Sequence, residues 1–178
     1  DYSDRNIEAF GRQGLHNVRK LDIGFHPGLR RIVKADTQDI DVLFYGSVGE
    51  RRQRILEQLK ARGLRVKAVF GLYGAERDAL IARSKVVMNV HHYHSKIFEI
   101  VRAFYLMSNS KALVSECGPD TSVEAAYLPG FRPAPYDQIV DACAELVHDD
   151  ALRAELEDRA FQTIRAMPQA ERTQRLLA

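Results

Sequence analysis

The stretch DVLFYGSVGERRQRILEQLKARGLRVKAVFG, residues 41–71, decides the fold class. It begins and ends with short runs of β-branched and aromatic residues, Asp41–Ser47 and Arg65–Gly71, which predict buried strands. Between these runs apolar side chains recur every three to four residues, which predicts a helix. That helix ends at Gly63, a residue that can adopt the left-handed conformation that closes a helix. A strand, a helix and a second strand in this order predict a right-handed crossover between parallel strands.

The same alternation continues towards the C-terminus. The runs Lys85–His92 and Lys111–Glu116 predict two more strands, and the segments 75–84 and 96–109 have the apolar periodicity of helices. Strands and helices in strict alternation form a parallel sheet that helices cover on both faces. We therefore predict an α/β fold with a doubly wound parallel sheet of the Rossmann-like class.

The two ends of the chain lie outside this alternation. Towards the N-terminus we predict a helix at Ser3–Gly14 and a short strand at Val18–Ile23. After Tyr136 the pattern predicts two helices, and a last short helix follows Pro168. The segment 118–135 holds four of the six prolines and is predicted to contain one short edge strand.

Composition and charge narrow the class of protein. The 178 residues carry a formal net charge of +2, and 28% of them are charged, without a basic tail of the kind that binds nucleic acid. The two cysteines, Cys117 and Cys143, lack the spacing of a zinc ribbon or a disulfide framework. No apolar run approaches the ~20 residues of a transmembrane helix, and the start lacks a signal-peptide pattern. We therefore expect a cytoplasmic protein and, since the chain begins at Asp1 within a predicted helix, a piece of a longer polypeptide.

Residues with binding chemistry follow the predicted strands, and open parallel sheets bind ligands at the carboxyl ends of their strands. After the first strand, Gly46 and Gly49 allow the backbone to pass close to a ligand, and the next helix offers free N–H groups to a phosphate. Arg51 and Arg52 can add charge-assisted contacts. The alternative is an ordinary strand-to-helix turn with solvated arginines.

Four further residues at this edge, two of them as a pair, each have two interpretations. Tyr73, between two glycines, stacks on a base or covers the start of a helix. Glu99 and Arg102, spaced i, i+3, form a surface ion pair, or Glu99 contacts ribose or sugar hydroxyls while Arg102 contacts phosphate. Glu116 is a helix N-cap or loop acid, or it contacts a ligand.

The histidines His91, His92 and His94 follow the third predicted strand. They lack the H-E-x-x-H pattern, and we see no partner set of distant ligands, so we expect no metal and do not favour a metallohydrolase. Hydrogen bonds to backbone or to a ligand phosphate are the preferred interpretation. The D-x-D string at Asp39–Asp41 precedes a strand at the opposite edge and is interpreted as a loop and strand start.

Residues 41–165 resemble the C-terminal, nucleotide-sugar-binding domain of bacterial GT-B glycosyltransferases, particularly group 1 and CgeB-like proteins. The strings DVLFYGSVGERRQRILEQLKARG and GLYGAERDALIARSKVVMNVHHYHSKIFEIVRAFYLMSNSKALVSE carry this resemblance. It implies three parts: residues 1–35 as the end of an N-terminal domain with a linker, residues 36–167 as the nucleotide-sugar-binding domain, and residues 168–178 as a helix that crosses the cleft. The group 1 pattern has a second glutamate on the helix and a glycine where this chain has Asn109.

The resemblance implies transfer of a sugar from a nucleoside-diphosphate sugar to the hydroxyl of a glycan or another acceptor, without a metal or cofactor, in polysaccharide biosynthesis. Glu99 and Arg102 are the candidate catalytic residues, and a fragment without the acceptor lobe is expected to be inactive. The alternative is a non-catalytic Rossmann-like module that binds a nucleotide or a partner protein. The predicted donor-binding residues are Gly46, Ser47, Arg51, Arg52, Tyr73, Gly74, His92, His94, Phe98, Glu99, Arg102 and Glu116.

Overall fold

The computed structural model describes residues 1–92, 98–119, 121 and 123–178. Five strands form one sheet in which each neighbouring pair is parallel, in the order β2-β1-β3-β4-β5. The strands are β1 (Ile40–Tyr45), β2 (Val66–Val69), β3 (Ser84–Asn89), β4 (Ala112–Glu116) and β5 (Arg132–Ala134). The predicted parallel sheet is confirmed, and β5 is the short edge strand expected in the proline-rich segment.

Seven α-helices surround the sheet in the part of the chain that the structure describes. They are α1 (Asp4–Arg12), α2 (Glu50–Ala61), α3 (Gly74–Arg83), α4 (Ile100–Ser108), α5 (Ile139–His148), α6 (Asp150–Arg165) and α7 (Gln169–Leu177). Three 3₁₀ helices lie at Pro27–Leu29, Ala125–Gly130 and Tyr136–Gln138. None of these helices is long and apolar enough to cross a membrane.

The core lies on both faces of the sheet because side chains alternate along each strand. On one face Val42, Val86 and Val114 pack in a cluster with residues of α2 and α5. On the other face Leu43 and Leu113 pack in a cluster with residues of α3, α4 and α6. The central strands are buried on both faces, which explains why they appear in the sequence as continuous apolar runs.

The strand predicted at Val18–Ile23 is wrong, since residues 18–23 form no strand in the structure. This part of the chain does not lie beside the sheet, and other groups satisfy its backbone. Leu21 N donates to Asp1 O at 2.9 Å, and the Asp1 amino group donates to Arg19 O at 3.0 Å. Just after the segment, Phe25 N donates to Met167 O and Gln169 N donates to Phe25 O, both at 2.8 Å. The Tyr127 hydroxyl donates to Ile23 O. The apolar residues of this segment thus contact the start of α7 and the 3₁₀ helix 125–130 rather than a neighbouring strand.

Helix α4 begins later than the sequence predicts, at Ile100 rather than near Lys96. Glu99 is its N-cap, and Glu99 O accepts hydrogen bonds from the backbone N–H groups of Arg102 and Ala103. Residues 93–97, which include His94, lie outside the described part of the chain. Glu99 and Arg102 therefore lie at the N-terminal end of the helix, where both can reach the carboxyl edge of the sheet.

Candidate functional site

The loop between β1 and α2, residues 46–49, crosses the carboxyl edge of the sheet. Gly46 has a φ of 142°, a conformation that favours glycine. A Cβ atom at Gly46 would lie 3.3 Å from Arg102 Nη2 and 3.8 Å from Arg52 Nη1. The absence of a side chain at Gly46 therefore allows two guanidinium groups to lie against this loop.

Arg52 is buried, with 3% of its surface exposed. Its Nε donates to Val90 O at 2.8 Å and its Nη1 to Ser47 O at 2.8 Å. The Nη2 atom lies 3.4 Å from Glu99 Oε1. Arg52 is therefore not the solvated arginine of the alternative interpretation, because its guanidinium connects the loop after β1 to the end of β3.

Arg102 approaches the same place from α4. Its Nη1 donates to Asn89 Oδ1, and its Nη2 lies 3.2 Å from Glu99 Oε2. The guanidinium carbon lies 4.9 Å from the centroid of the Tyr45 ring, and burial raises the pKa of Tyr45 to about 12. The Nε atom of Arg102 is buried and has no hydrogen-bond partner among the described residues. The Glu99–Arg102 ion pair is thus formed, but largely buried on the arginine side, rather than on the open surface.

Arg51 and Glu116 form a second pair at this edge. Arg51 Nη2 lies 2.7 Å from Glu116 Oε1, and Arg51 Nη1 donates to Glu116 Oε2 at 3.2 Å. The His91 backbone N–H also donates to Glu116 Oε2, at 2.9 Å. Burial alone would raise the pKa of Glu116, but the hydrogen bonds from Arg51 and His91 lower it overall. Glu116 is therefore neither an N-cap nor a solvated loop acid, since its carboxylate holds Arg51 and the loop after β3.

An open depression of about 200 Å³ lies between the ends of β1 and β2. Arg77 and Arg102 line it together with the backbone from Phe70 to Tyr73. Tyr73 is the N-cap of α3, and 75% of its surface is exposed, so its ring is accessible to a ligand. Gly74 follows with a φ of 56°.

Sequence reasoning missed two polar residues of this edge, Arg77 and Asn89. Arg77 lies in the first turn of α3, with its guanidinium 4.5 Å from the Tyr105 ring centroid and 2.8 Å from Asp78. Asn89 ends β3 and donates from Nδ2 to Ser115 Oγ at 3.0 Å. Asn89 is a polar residue at the end of a strand, which is the signal that singled out Glu116. Arg77 is a basic residue in the first turn of a helix, which is the signal that singled out Arg51.

Of the three histidines, His92 lies next to the loop 46–49. His92 is exposed, and a Cβ atom at Gly49 would lie 3.5 Å from His92 Cε1. His91 is buried and its ring lies 3.3 Å, Nε2 to Oγ1, from Thr121, and burial lowers the pKa of His91. Among the residues that the structure describes, no three His, Cys, Asp or Glu side chains form a group that could hold a metal ion. His94 lies outside those residues, and the expectation of no metal stays a prediction.

The structure thus brings most of the predicted donor-binding residues to one edge, but not Phe98. The Phe98 ring is buried and stacks on Phe131 with 5.1 Å between ring centroids. It belongs to the core beneath α4. Arg52 and Arg102 contact the Glu99 carboxylate and lie against Gly46, and Arg52 also binds Ser47 O. Arg51 and Glu116 form a separate pair at the same edge, and Tyr73, followed by Gly74, lines the depression.

No protein-family profile matches the chain. An uncharacterized protein of Acanthamoeba polyphaga mimivirus is 29% identical over 154 residues, which are 83% of this chain and 50% of the viral protein. A second uncharacterized protein of that virus is 36% identical over 90 residues, 49% of this chain and 10% of the viral protein. The chain therefore spans half the length, or less, of these relatives.

Solved structures share the fold at low sequence identity. The structure of Anabaena HepE in complex with UDP and glucose matches with a TM-score of 0.68 and 13% identity, over 99% of this chain and 60% of that chain. The TarM structure matches with a TM-score of 0.67 and 13% identity, over 98% of this chain and 41% of the TarM chain. A third match is the C-terminal domain of a group 1 glycosyl transferase family protein from Francisella tularensis. Its TM-score is 0.50 at 14% identity, over 80% of this chain and 97% of that domain. The chain therefore has a glycosyltransferase-like α/β fold.

Proposed function

We propose that this chain is the nucleotide-sugar-binding domain of a glycosyltransferase of the GT-B type, which transfers a sugar from a nucleoside-diphosphate sugar to an acceptor hydroxyl. One observation carries the proposal: Arg52 and Arg102 both lie against the loop 46–49, and Nη2 of each contacts the carboxylate of Glu99. Two guanidinium groups at the carboxyl edge of a parallel sheet suit a diphosphate. The likeness of the fold to HepE, whose structure contains UDP and glucose, supports this ligand class.

In this proposal the diphosphate lies between the N-terminus of α2 and the N-terminus of α4. Arg52 and Arg102 stabilise the negative charge that develops on the departing diphosphate, together with the backbone N–H groups of the loop 46–49. Glu99 contacts hydroxyl groups of the sugar. Arg51 is a positioning residue in this account, because Glu116 already binds its guanidinium on two nitrogens.

The base and ribose occupy the depression between β1 and β2. Tyr73 is exposed at its rim and offers an aromatic face for stacking. Gly74 has no side chain that would obstruct a ligand at the start of α3. His92, beside Gly49, lies close enough to the loop to approach a phosphate.

The domain boundaries are part of the same proposal. Residues 1–35 are the end of the acceptor-binding lobe with its linker, residues 36–167 bind the donor, and α7 within 168–178 crosses back to the linker. Contacts between α7 and the N-terminal segment support this division, since Arg172 Nη1 lies 3.5 Å from Asp22 Oδ2. The other lobe supplies the acceptor site and the general base, so this chain alone binds the donor without transferring the sugar.

The second candidate is a non-catalytic nucleotide-binding module. It is supported by the ion pairs that both carboxylates at this edge form with arginines. Glu99 and Glu116 are both engaged by arginines, so neither is available as a general base in this arrangement. Both candidates predict binding of a nucleoside diphosphate, and only the first predicts sugar transfer by the full-length polypeptide. An assay of UDP release from UDP-glucose by the full-length protein, with and without acceptors, separates them.

Isothermal titration calorimetry with UDP, uridine and inorganic diphosphate tests the shared site. We expect UDP to bind, and Arg102→Gln to weaken UDP binding by about 1.5–3 kcal/mol, the scale of a hydrogen bond to a charged group. The variant should also flatten the salt dependence of binding. Arg132→Gln is the matched control, because Arg132 forms an exposed ion pair with Glu145 away from the site. If folded Arg102→Gln binds UDP as the parent does, the proposed site is wrong.

A further inference from the structure

Glu99 places its carboxylate between the two arginines of the proposed diphosphate site. Its Oε1 lies 3.4 Å from Arg52 Nη2, and its Oε2 lies 3.2 Å from Arg102 Nη2. Each carboxylate oxygen thus faces a different guanidinium. The arrangement resembles the way in which two oxygens of a phosphate group engage two arginines.

Both arginines also form hydrogen bonds with groups other than Glu99. Arg52 donates to the backbone carbonyls of Val90 and Ser47 from Nε and Nη1. Arg102 donates to Asn89 from Nη1. Each guanidinium therefore stays anchored when Glu99 leaves, and each presents its Nη2 towards the same point.

Other charged residues around this point are paired elsewhere. Arg51 is bound by Glu116, and Arg77 is bound by Asp78. Glu99 thus balances part of the charge of two largely buried guanidinium groups, and a net positive charge remains. Desolvated guanidinium groups favour an anionic partner.

Glu99 is free to move without loss of helix structure. It is the N-cap of α4, but its side chain makes no capping hydrogen bond. Its side chain is 37% exposed, so the carboxylate can turn towards water. Its backbone carbonyl, which accepts the first hydrogen bonds of α4, does not need to move.

We propose that Glu99 is an internal counter-ion that occupies the diphosphate position in the unliganded protein and is displaced when a nucleoside diphosphate binds. This inference rests on the proposed function and adds a regulatory feature to its site. Glu99 lowers the affinity for anions in general, because any anion must first displace it. A ligand that brings oxygens to both arginines replaces both contacts, so the site favours diphosphates over anions that reach only one arginine.

Calorimetry on Glu99→Gln tests the proposal with inorganic diphosphate, UDP and uridine as probes. Glutamine keeps the size of the side chain and removes its charge. We expect Glu99→Gln to bind inorganic diphosphate and UDP about fivefold more tightly than the parent, the scale of a partly exposed ion pair, and uridine with unchanged affinity. Glu145→Gln removes one negative charge from an exposed ion pair with Arg132 and is expected to change none of these affinities.

The other possible results of this calorimetry lead to different conclusions. If the parent binds UDP and folded Glu99→Gln binds it equally or less tightly, Glu99 is not a counter-ion, although the proposed function stands. Equal tightening by Glu99→Gln and Glu145→Gln would show a general effect of net charge and would also overturn the inference. If neither the parent nor Glu99→Gln binds UDP or inorganic diphosphate, the proposed function fails together with the inference.

Discussion

Arg51 and Arg52 are adjacent in the sequence and have different environments. Successive side chains on a helix point about 100° apart, so one arginine enters the interior while its neighbour lies at the rim. Arg52 is 3% exposed and binds the carbonyls of two loops, whereas Arg51 pairs with Glu116. The sequence predicted that both arginines lie at the carboxyl edge. It did not indicate which is buried, because that depends on carbonyl groups of Ser47 and Val90, which are distant from each other along the chain.

Lys111 is a buried charge at the opposite, amino edge of the sheet. It lies at the start of β4, 3% exposed, donates to Ser84 O and lies 3.7 Å from Glu157. Burial lowers the pKa of Lys111 from 10.5 to about 8. Below pH 8 the folded protein therefore carries the full cost of a buried ammonium group. Between pH 8 and 10.5 the unfolded chain binds more protons, so the contribution of Lys111 to stability rises with pH.

We expect Lys111→Met to raise the free energy of unfolding at pH 7 by about 1–3 kcal/mol, because the lowered pKa shows that the folded protein disfavours the charged form of Lys111. Glu157 keeps Lys34 as a partner, and Ser84 O keeps the side chain of Gln38. The difference between parent and variant should shrink as the pH rises towards 10.5. Chemical denaturation of the parent and the variant across this pH range measures the difference. Lys60→Met, on the exposed face of α2, is the control. A variant that is less stable than the parent at pH 7, by an amount independent of pH, would contradict this prediction.

Among the elements, the sheet strands and the N-terminal helix were predictable, and the conformation of residues 18–23 was not. The central strands are buried on both faces, and this produces continuous apolar runs that a local pattern detects. Residues 18–23 also contain three apolar side chains, but a strand of the sheet needs a partner strand with free backbone groups. The local pattern contains no information about the partner, which here is Asp1 for Arg19 and Leu21, and Tyr127 for Ile23.

The contact between this segment and α7 depends on Gly24. A Cβ atom at Gly24 would lie 2.3 Å from Met167 O and 3.1 Å from Gln169 N, which are backbone atoms. We expect Gly24→Ala to lower the free energy of unfolding by about 1–3 kcal/mol, because the backbone must shift. Amide hydrogen exchange should become faster in α7 and remain unchanged in the sheet.

Gly118→Ala is the control for this prediction, because a Cβ atom at Gly118 would meet no atom of the described residues within 4 Å. We expect that variant to unfold like the parent. If Gly24→Ala leaves exchange in α7 unchanged, the close contact between these two segments does not hold α7 in place.

At the scale of the whole molecule, Asn109 connects the N-terminal segment to the sheet domain. Its Oδ1 accepts hydrogen bonds from the backbone N–H groups of Arg31 and Ile32 at 2.9 and 2.8 Å. Its Nδ2 donates to Leu29 O at 2.9 Å. A glycine, the usual residue of the group 1 pattern at this position, has no side chain to make these bonds. The departure that the sequence showed at Asn109 is thus explained by long-range contacts.

The candidate site also depends on this larger scale. The alternation of strands and helices predicts that residues 46–52, 73–74, 91–102 and 116 meet at one edge, since the carboxyl ends of parallel strands lie together. The pairing of Glu99 with Arg102 follows from their i, i+3 spacing. The contact of Glu99 with Arg52 was not predictable, because these two residues come from distant parts of the chain. The burial of Phe98 was not predictable either, because it depends on packing against Phe131, which is distant along the chain.

The central claim is that the carboxyl edge between the loop 46–49 and α4 binds a nucleoside diphosphate. A crystal structure of this chain with UDP tests it most directly. We expect diphosphate oxygens within about 3.2 Å of Nη2 of both Arg52 and Arg102, and the base in the depression beside Tyr73. UDP bound at another edge of the sheet, with the contacts of Arg52 and Arg102 to Glu99 unchanged, would contradict it.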